Sequence, residues 1–235
     1  MGTWDWQVFL QDTGSGETYL QWLLSAWGWT LSVALLALVV ALLVGVAVGI
    51  LRTLPNRALS LFGEAYTEVF RNIPLLVQLF LWYHVLPSIL LSLRAVPSFL
   101  LVVFGLGLFT SARVAEQVKA GIQTLPKGQR YAGLAMGLTL PQVYRYVLMP
   151  MALRIVIPPL TSESMNIIKN SSVAFAVSIA ELTFFAQQAA EETSHGIEIY
   201  LAVSLLYFIS AFAINRIALL IERRVQVPGL AGAGK

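Results

Sequence analysis

Long uncharged runs alternate along this chain with short clusters of charge, and the runs set the architecture. Leu31–Leu51 carries no charge over 21 positions, enough helix to cross a hydrocarbon core of ~30 Å. Gly45 and Gly49 give it a small-x-x-x-small face for close helix packing, and Arg52 and Arg57 close it. Leu59–Leu86 predicts a second span interrupted at Pro74. Glu64, Glu68 and Arg71 fall there at i, i+4 and i+7, on one helix face, with Asn72 beside them. Pro87–Arg94 reads as a short turn. Ala95–Ala112 predicts a third span, ended by Arg113, Glu116 and Lys119 before a loop holding Lys127 and Arg130. Leu148–Ala190 is long, and polar residues recur through it at Arg154, Pro158-Pro159, Glu163, Asn166, Lys169 and Asn170. It predicts a broken fourth span, one limb ending before Pro158-Pro159 and the second reaching Ala190, with its irregular backbone buried in protein or facing a watery cavity. An acidic turn with Glu191, Glu192 and Glu198 leads to a fifth span, Ile199–Ile221, ended by Arg223-Arg224. The expected fold class is an all-α integral membrane protein with five transmembrane helices.

Charge distribution orients those helices. With five crossings, Arg52, Arg57, Lys119, Lys127, Arg130, Arg145, Arg223 and Arg224 fall on one side and Arg94 on the other. The excess of basic loop residues marks the cytoplasmic side, so the N-terminus is expected outside and the C-terminus inside. Residues 1–18 are polar with Trp4 and Trp6 and read as an interfacial periplasmic segment. Residues 19–224 form the transmembrane domain, and 225–235 a flexible cytoplasmic tail. Asp5, Asp12 and Glu17 precede the first apolar run without a basic cluster, so no cleaved signal peptide is expected.

Composition supports that reading. Of 235 residues 57% are hydrophobic and only 11% charged, against about 25% charged in a soluble domain. The absence of Cys excludes disulfides and thiolate chemistry. The pI near 9.3 reflects loop charges rather than a nucleic-acid-binding face. His84 and His195 are isolated, no metal-ligand spacing occurs, and the serines lack a His–Asp partner. Gly229–Lys235 spells GxxxxGK, but no Ser/Thr, strand or following helix accompanies it, so no ATP site is expected on this chain.

Gly128–Pro150 is the longest polar interruption. Residues about 127–136 suit a short helix, stopped at Gly137, the residue that enters the left-handed region without strain. Thr139 and Gln142 then fit a capping box, with Pro141 in the first turn. A short helix held between two spans is a docking knob for a soluble partner.

This segment resembles the cytoplasmic EAA loop of ABC importer permeases. Tyr131-Ala132-Gly133 stand where that pattern has Glu-Ala-Ala, Gly137 is its Gly, and Met149-Pro150 replace Leu-Pro. The acidic residue of the pattern is Tyr131 here. Arg71–Tyr83, Ala112–Gln129 and Leu153–Ser172 resemble the polar amino-acid branch of these permeases, nearest the glutamate/aspartate type, and the resemblance covers roughly residues 20–222. It implies a type I ABC importer-like fold in a bacterial inner membrane. It also implies a second permease subunit, identical or homologous, two cytoplasmic ATPase subunits that hold ATP and Mg, and a periplasmic amino-acid-binding protein. Lys127, Gln129, Arg130, Tyr131, Ala132, Gly133 and Gly137 are then the coupling residues, and no cofactor is bound by this chain.

Ionisable residues inside a membrane cost at least ~2.5–3.5 kcal/mol each at the centre, so they are expected to face one another or water. Arg113 ends an apolar run and offers a bidentate grip on a carboxylate; an arginine at this position resembles the acidic-substrate type, while the plain structural alternative is snorkelling to the headgroups. Glu163 suits a substrate ammonium, or an internal pair with Lys169 or Arg154. Asn166, one turn on, is a further candidate or simple helix glue. Arg71 and Asn72 before Pro74 either face the ligand or, for Arg71, neutralise Glu64 or Glu68. Glu116 and Lys119 read as ion-pair or gate elements. Permeases for glutamine or basic amino acids, and a channel or membrane enzyme using the polar cluster directly, are the alternative readings.

Overall fold

The computed structural model describes residues 4–225. Their regular structure is helical apart from one isolated bridge, Asp12 to Thr18. After a short 3-10 turn at Trp6–Leu10 come α1 (Tyr19–Leu51), α2 (Arg57–Asn72), α3 (Leu75–Ile89), α4 (Ser98–Thr124), α5 (Lys127–Ala135), α6 (Leu140–Val177), α7 (Leu182–Thr193) and α8 (Gly196–Val225). Four of these are long and apolar enough to cross a membrane, and α2 with α3 makes a fifth crossing if the pair counts as one span. That pair is bent by 104°. The bend falls at Pro74, as predicted, because Asn56 caps the start of α2 and Ile73 leaves the helical region just before the proline.

α1 is apolar all the way round and exposes Leu24, Leu35, Leu36, Val39 and Leu43. In water such a face would be an aggregation hazard; in a bilayer it is the lipid-facing surface.

The described residues cluster into two compact units. One comprises residues 4–38, 74–107 and 165–213. Its core gathers Val8, Phe9, Leu23, Leu182, Phe185 and Ile199. From Trp4 onward the N-terminal segment packs on this unit: Asp5 caps Gln7 at 2.9 Å, and the Asp5 N–H donates to Glu198 Oε1 at 2.8 Å. Buried Glu181 caps α7 by accepting from the N–H groups of Thr183 and Phe184, and takes a 2.6 Å bond from the Tyr207 hydroxyl.

The other unit comprises residues 39–73, 108–164 and 214–235, described here as far as 225. Gly45 and Gly49 do what their spacing predicts. A Cβ on Gly45 would lie 2.5 Å from Val114 Cβ, and one on Gly49 2.6 Å from Val118 Cβ. The ends of α1 and α4 therefore pack backbone to side chain, with no room for a methyl group.

Two expectations are corrected. The third helix does not stop at Ala112 but runs to Thr124, so Arg113, Glu116 and Lys119 sit within the helix rather than marking its end. Nor does the chain break at Pro158-Pro159, which lie inside the continuous helix Met149–Ser171. Thr161 and Ser164 donate to the carbonyls of Ile157 and Leu160 there, local side-chain bonding of the kind that accompanies proline-bearing membrane helices. The break comes later, at Ser178, whose φ of 59° is left-handed. The GxxxxGK stretch and the predicted tail lie outside the described residues, apart from Val225.

Candidate functional site

Phe109, Arg113, Glu116 and Gln117 occupy i, i+4, i+7 and i+8 of α4, hence one face. Val114 and Val118, a step round the helix, hold α4 against the two α1 glycines. That packing fixes the rotation of α4 and turns its polar face inward. With Arg71 and Glu163 the face encloses a cavity of about 420 Å³. Arg71, Arg113 and Glu163, named from the sequence as far-separated candidates, are thus brought together.

Two layers of charge line this cavity. In the first, Arg113 Nη1 stands 3.8 Å from Glu163 Oε2, and Gln117 Nε2 donates to Glu163 Oε1 at 3.3 Å. Both are longer than the ~2.7–2.9 Å of a tight charge-assisted bond. The Arg113 side chain is 45% exposed and Glu163 only 11%, and the guanidinium also lies 5.4 Å from the centre of the Phe109 ring. Arg113 is therefore loosely held and faces the space, while Glu163 is largely buried. In the second layer Glu116 Oε1 forms ion pairs with Arg71 Nη1 at 3.0 Å and with Arg52 Nη1 at 2.7 Å.

Arg52 is the residue that sequence reasoning missed. It was assigned to the loop after the first span, yet its side chain is 5% exposed, and its stem lies over Gly63, where a Cβ would meet Arg52 Cγ at 2.6 Å. A glycine on the facing helix is a weak signal, and no spacing along the chain announces the pair. Arg71 pairs with Glu116 rather than with Glu64 or Glu68; Glu64 meets Lys119 at 3.2 Å instead. The other candidates do not join the cavity. Asn72 donates to Glu68 at 2.8 Å. Asn166 does not line it, and Lys169 lines a separate cavity of about 340 Å³ with Ser172, Thr183, Tyr200 and Tyr207.

The second candidate feature is α5. It ends at Ala135, and Gly137 has φ 85°, the left-handed stop its position predicts. Thr139 and Gln142 form the predicted capping box, with the Thr139 N–H donating to Gln142 Oε1 at 2.8 Å. Gly133 is buried against Val143, where a Cβ would come within 3.0 Å. Tyr131, Leu134 and Met136 stand exposed, Met136 by 73%, and Ala132 and Lys127 are also open. Gln129 and Arg130 are half-buried beneath them. The helix thus presents an apolar outer face while Gly133 seats it on α6.

Residues 37–227 match the family described as binding-protein-dependent transport system inner membrane component. The chain is 45% identical to the glutamate/aspartate import permease protein GltJ of Escherichia coli, over 97% of this chain and 98% of that one. It is 34% identical to a probable glutamine ABC transporter permease protein, GlnM, of Bacillus subtilis, covering 84% and 90% respectively. Among solved structures, a crystal structure of an amino acid ABC transporter with histidines superposes with a TM-score of 0.75 at 30% identity, covering 88% of this chain and 95% of that one.

Proposed function

The chain belongs to the binding-protein-dependent transport system inner membrane components, and from that membership we propose that it carries glutamate or aspartate inward. It is a multi-pass inner-membrane translocation subunit of an ABC importer with the type I permease fold, working with a partner permease, an ATPase and a binding protein.

The observation that carries it is the loose Arg113–Glu163 pair opening on the cavity. A zwitterion satisfies both members better than they satisfy each other: its carboxylate takes the Arg113 fork and its ammonium takes Glu163. Charge then selects among amino acids. Arg71 and Arg113 against Glu116 and Glu163 balance to zero, and Arg52, bonded to Glu116 from behind, leaves the site with one net positive charge. An acidic amino acid carries the complementary net negative charge; glutamine carries none and a basic amino acid the wrong sign. Arg71 is placed to take the second carboxylate. The similarity to a glutamate/aspartate import permease over nearly the whole chain supports the same substrate.

Coupling is the second part. The N-terminus lies outside and the C-terminus and α5 inside. Two ATPase subunits, which hold ATP and Mg, grip the α5 helices of two permeases through Tyr131, Leu134 and Met136. Closure of the ATPase pair favours the outward-open permease, and hydrolysis restores the inward-open one, each state selected by its differential contacts. Uptake of labelled glutamate by an Arg113→Ala variant that still assembles and hydrolyses ATP tests the substrate assignment. Lost affinity is expected; unchanged affinity removes Arg113 from the site.

A further inference from the structure

A second cavity, of about 380 Å³, lies beneath α5 where α1 and α4 end. Among the described residues three cations line it, Arg52, Lys127 and Arg130, and no carboxylate does. The Nε atoms of both Arg52 and Arg130 are buried and have no hydrogen-bond partner among the described residues. The only acid paired with any of the three among the described residues is Glu116, which reaches Arg52 Nη1 from the other cavity as an ion pair. Buried donors of this kind cost free energy unless something accepts from them. The rest of the wall is apolar at Ile122, Leu125, Pro126 and Leu148 and polar at Thr53, Gln123 and Tyr144.

We propose that this cavity seats the phosphate of an anionic phospholipid headgroup. Three converging cations around unfilled donors fit a group with several anionic oxygens better than a single carboxylate. Depth favours a lipid as its source. Arg52 directly follows the 33-residue apolar helix α1, so the site is level with the headgroups, and the apolar part of its wall suits the glycerol and first methylenes of a lipid. The Tyr144 hydroxyl, donating to the Thr53 carbonyl at 2.8 Å, ties the start of α6 to the end of α1 at the same point. A headgroup there would brace the base of α5, because Lys127 and Arg130 belong to that helix, and would make its stiffness depend on membrane composition.

The test uses the whole importer in nanodiscs of phosphatidylcholine with increasing phosphatidylglycerol. Lipid retained through detergent exchange is read by native mass spectrometry. Phosphatidylglycerol is expected to be retained over phosphatidylcholine. Arg130→Gln should lower that retention about tenfold, the loss of one charge-assisted bond. Gln123→Glu, which sets a carboxylate in the exposed rim of the same cavity, should lower it comparably while leaving every cation in place. Equal retention of the two lipids, or retention unchanged in both variants, overturns the proposal. Displacement of phosphatidylglycerol by millimolar inorganic phosphate would assign the site to a free anion and overturns the lipid equally.

Discussion

Arg52 and Glu116 meet at 2.7 Å although 64 positions separate them in the chain. Arg52 lines the cavity beneath α5, and Glu116 lines the cavity that holds Arg113 and Glu163. Through Glu116, which also holds Arg71 at 3.0 Å, the two cavities share one carboxylate. A substrate carboxylate that draws Arg71 away would leave Glu116 to Arg52 alone. Glu116→Gln is predicted to strand the buried guanidinium of Arg52 and to destabilise the permease by about 2 kcal/mol. Arg52→Met combined with Glu116→Gln should recover most of that loss. Thermal melts of the single and double variants measure the coupling.

The Lys119–Glu64 pair, although of similar length at 3.2 Å, gives the contrasting case. Glu64 is 43% exposed, so the pair is well solvated and contributes within ~0–1 kcal/mol. Glu64→Gln is expected to leave the melting temperature almost unchanged, and a drop matching that of Glu116→Gln would contradict the distinction between solvated and buried pairs.

Close packing makes a different prediction. Gly45→Ala puts a methyl 2.5 Å from Val114 Cβ, so α1 and α4 must part, at a cost of about 1–3 kcal/mol. Because α4 carries the polar face, transport should fall with stability. Gly28→Ala, on the same helix with nothing within 4 Å, should be neutral or slightly stabilising. Melting temperature and glutamate uptake of the two variants make the comparison.

Gly137, at φ 85°, sets the direction in which the chain leaves α5. Gly137→Ala strains that turn by about 1–2 kcal/mol and is predicted to weaken the stimulation of ATP hydrolysis by loaded binding protein. Gly128→Ala, within α5 and with open space around its Cβ, should leave that stimulation intact.

These residues also mark what was legible in the sequence. Signals local to a few positions read correctly: the Gly137 stop, the Thr139–Gln142 cap, the Pro74 bend and the Gly45/Gly49 face. Readings that needed a distant partner did not. Arg113, Glu116 and Lys119 looked like the end of a span because charge usually marks water; their helix continues because Glu163, Arg52, Arg71 and Glu64 answer them from other elements. Pro158-Pro159 looked like a break because a proline removes a helical hydrogen bond, yet in this helix that loss is tolerated. Arg52 was placed in the loop after the first span because its burial depends on Gly63 and Glu116, neither of which a one-dimensional pattern can bring to it.

The most direct measurement is the preference of the reconstituted importer for glutamate over glutamine, with and without Arg113. If Arg113 holds a substrate carboxylate, Arg113→Gln lowers kcat/KM for glutamate on the order of 100-fold, the worth of a charge-assisted pair, and the preference over glutamine collapses while ATP hydrolysis without substrate persists. A variant that keeps the wild-type preference would contradict the account.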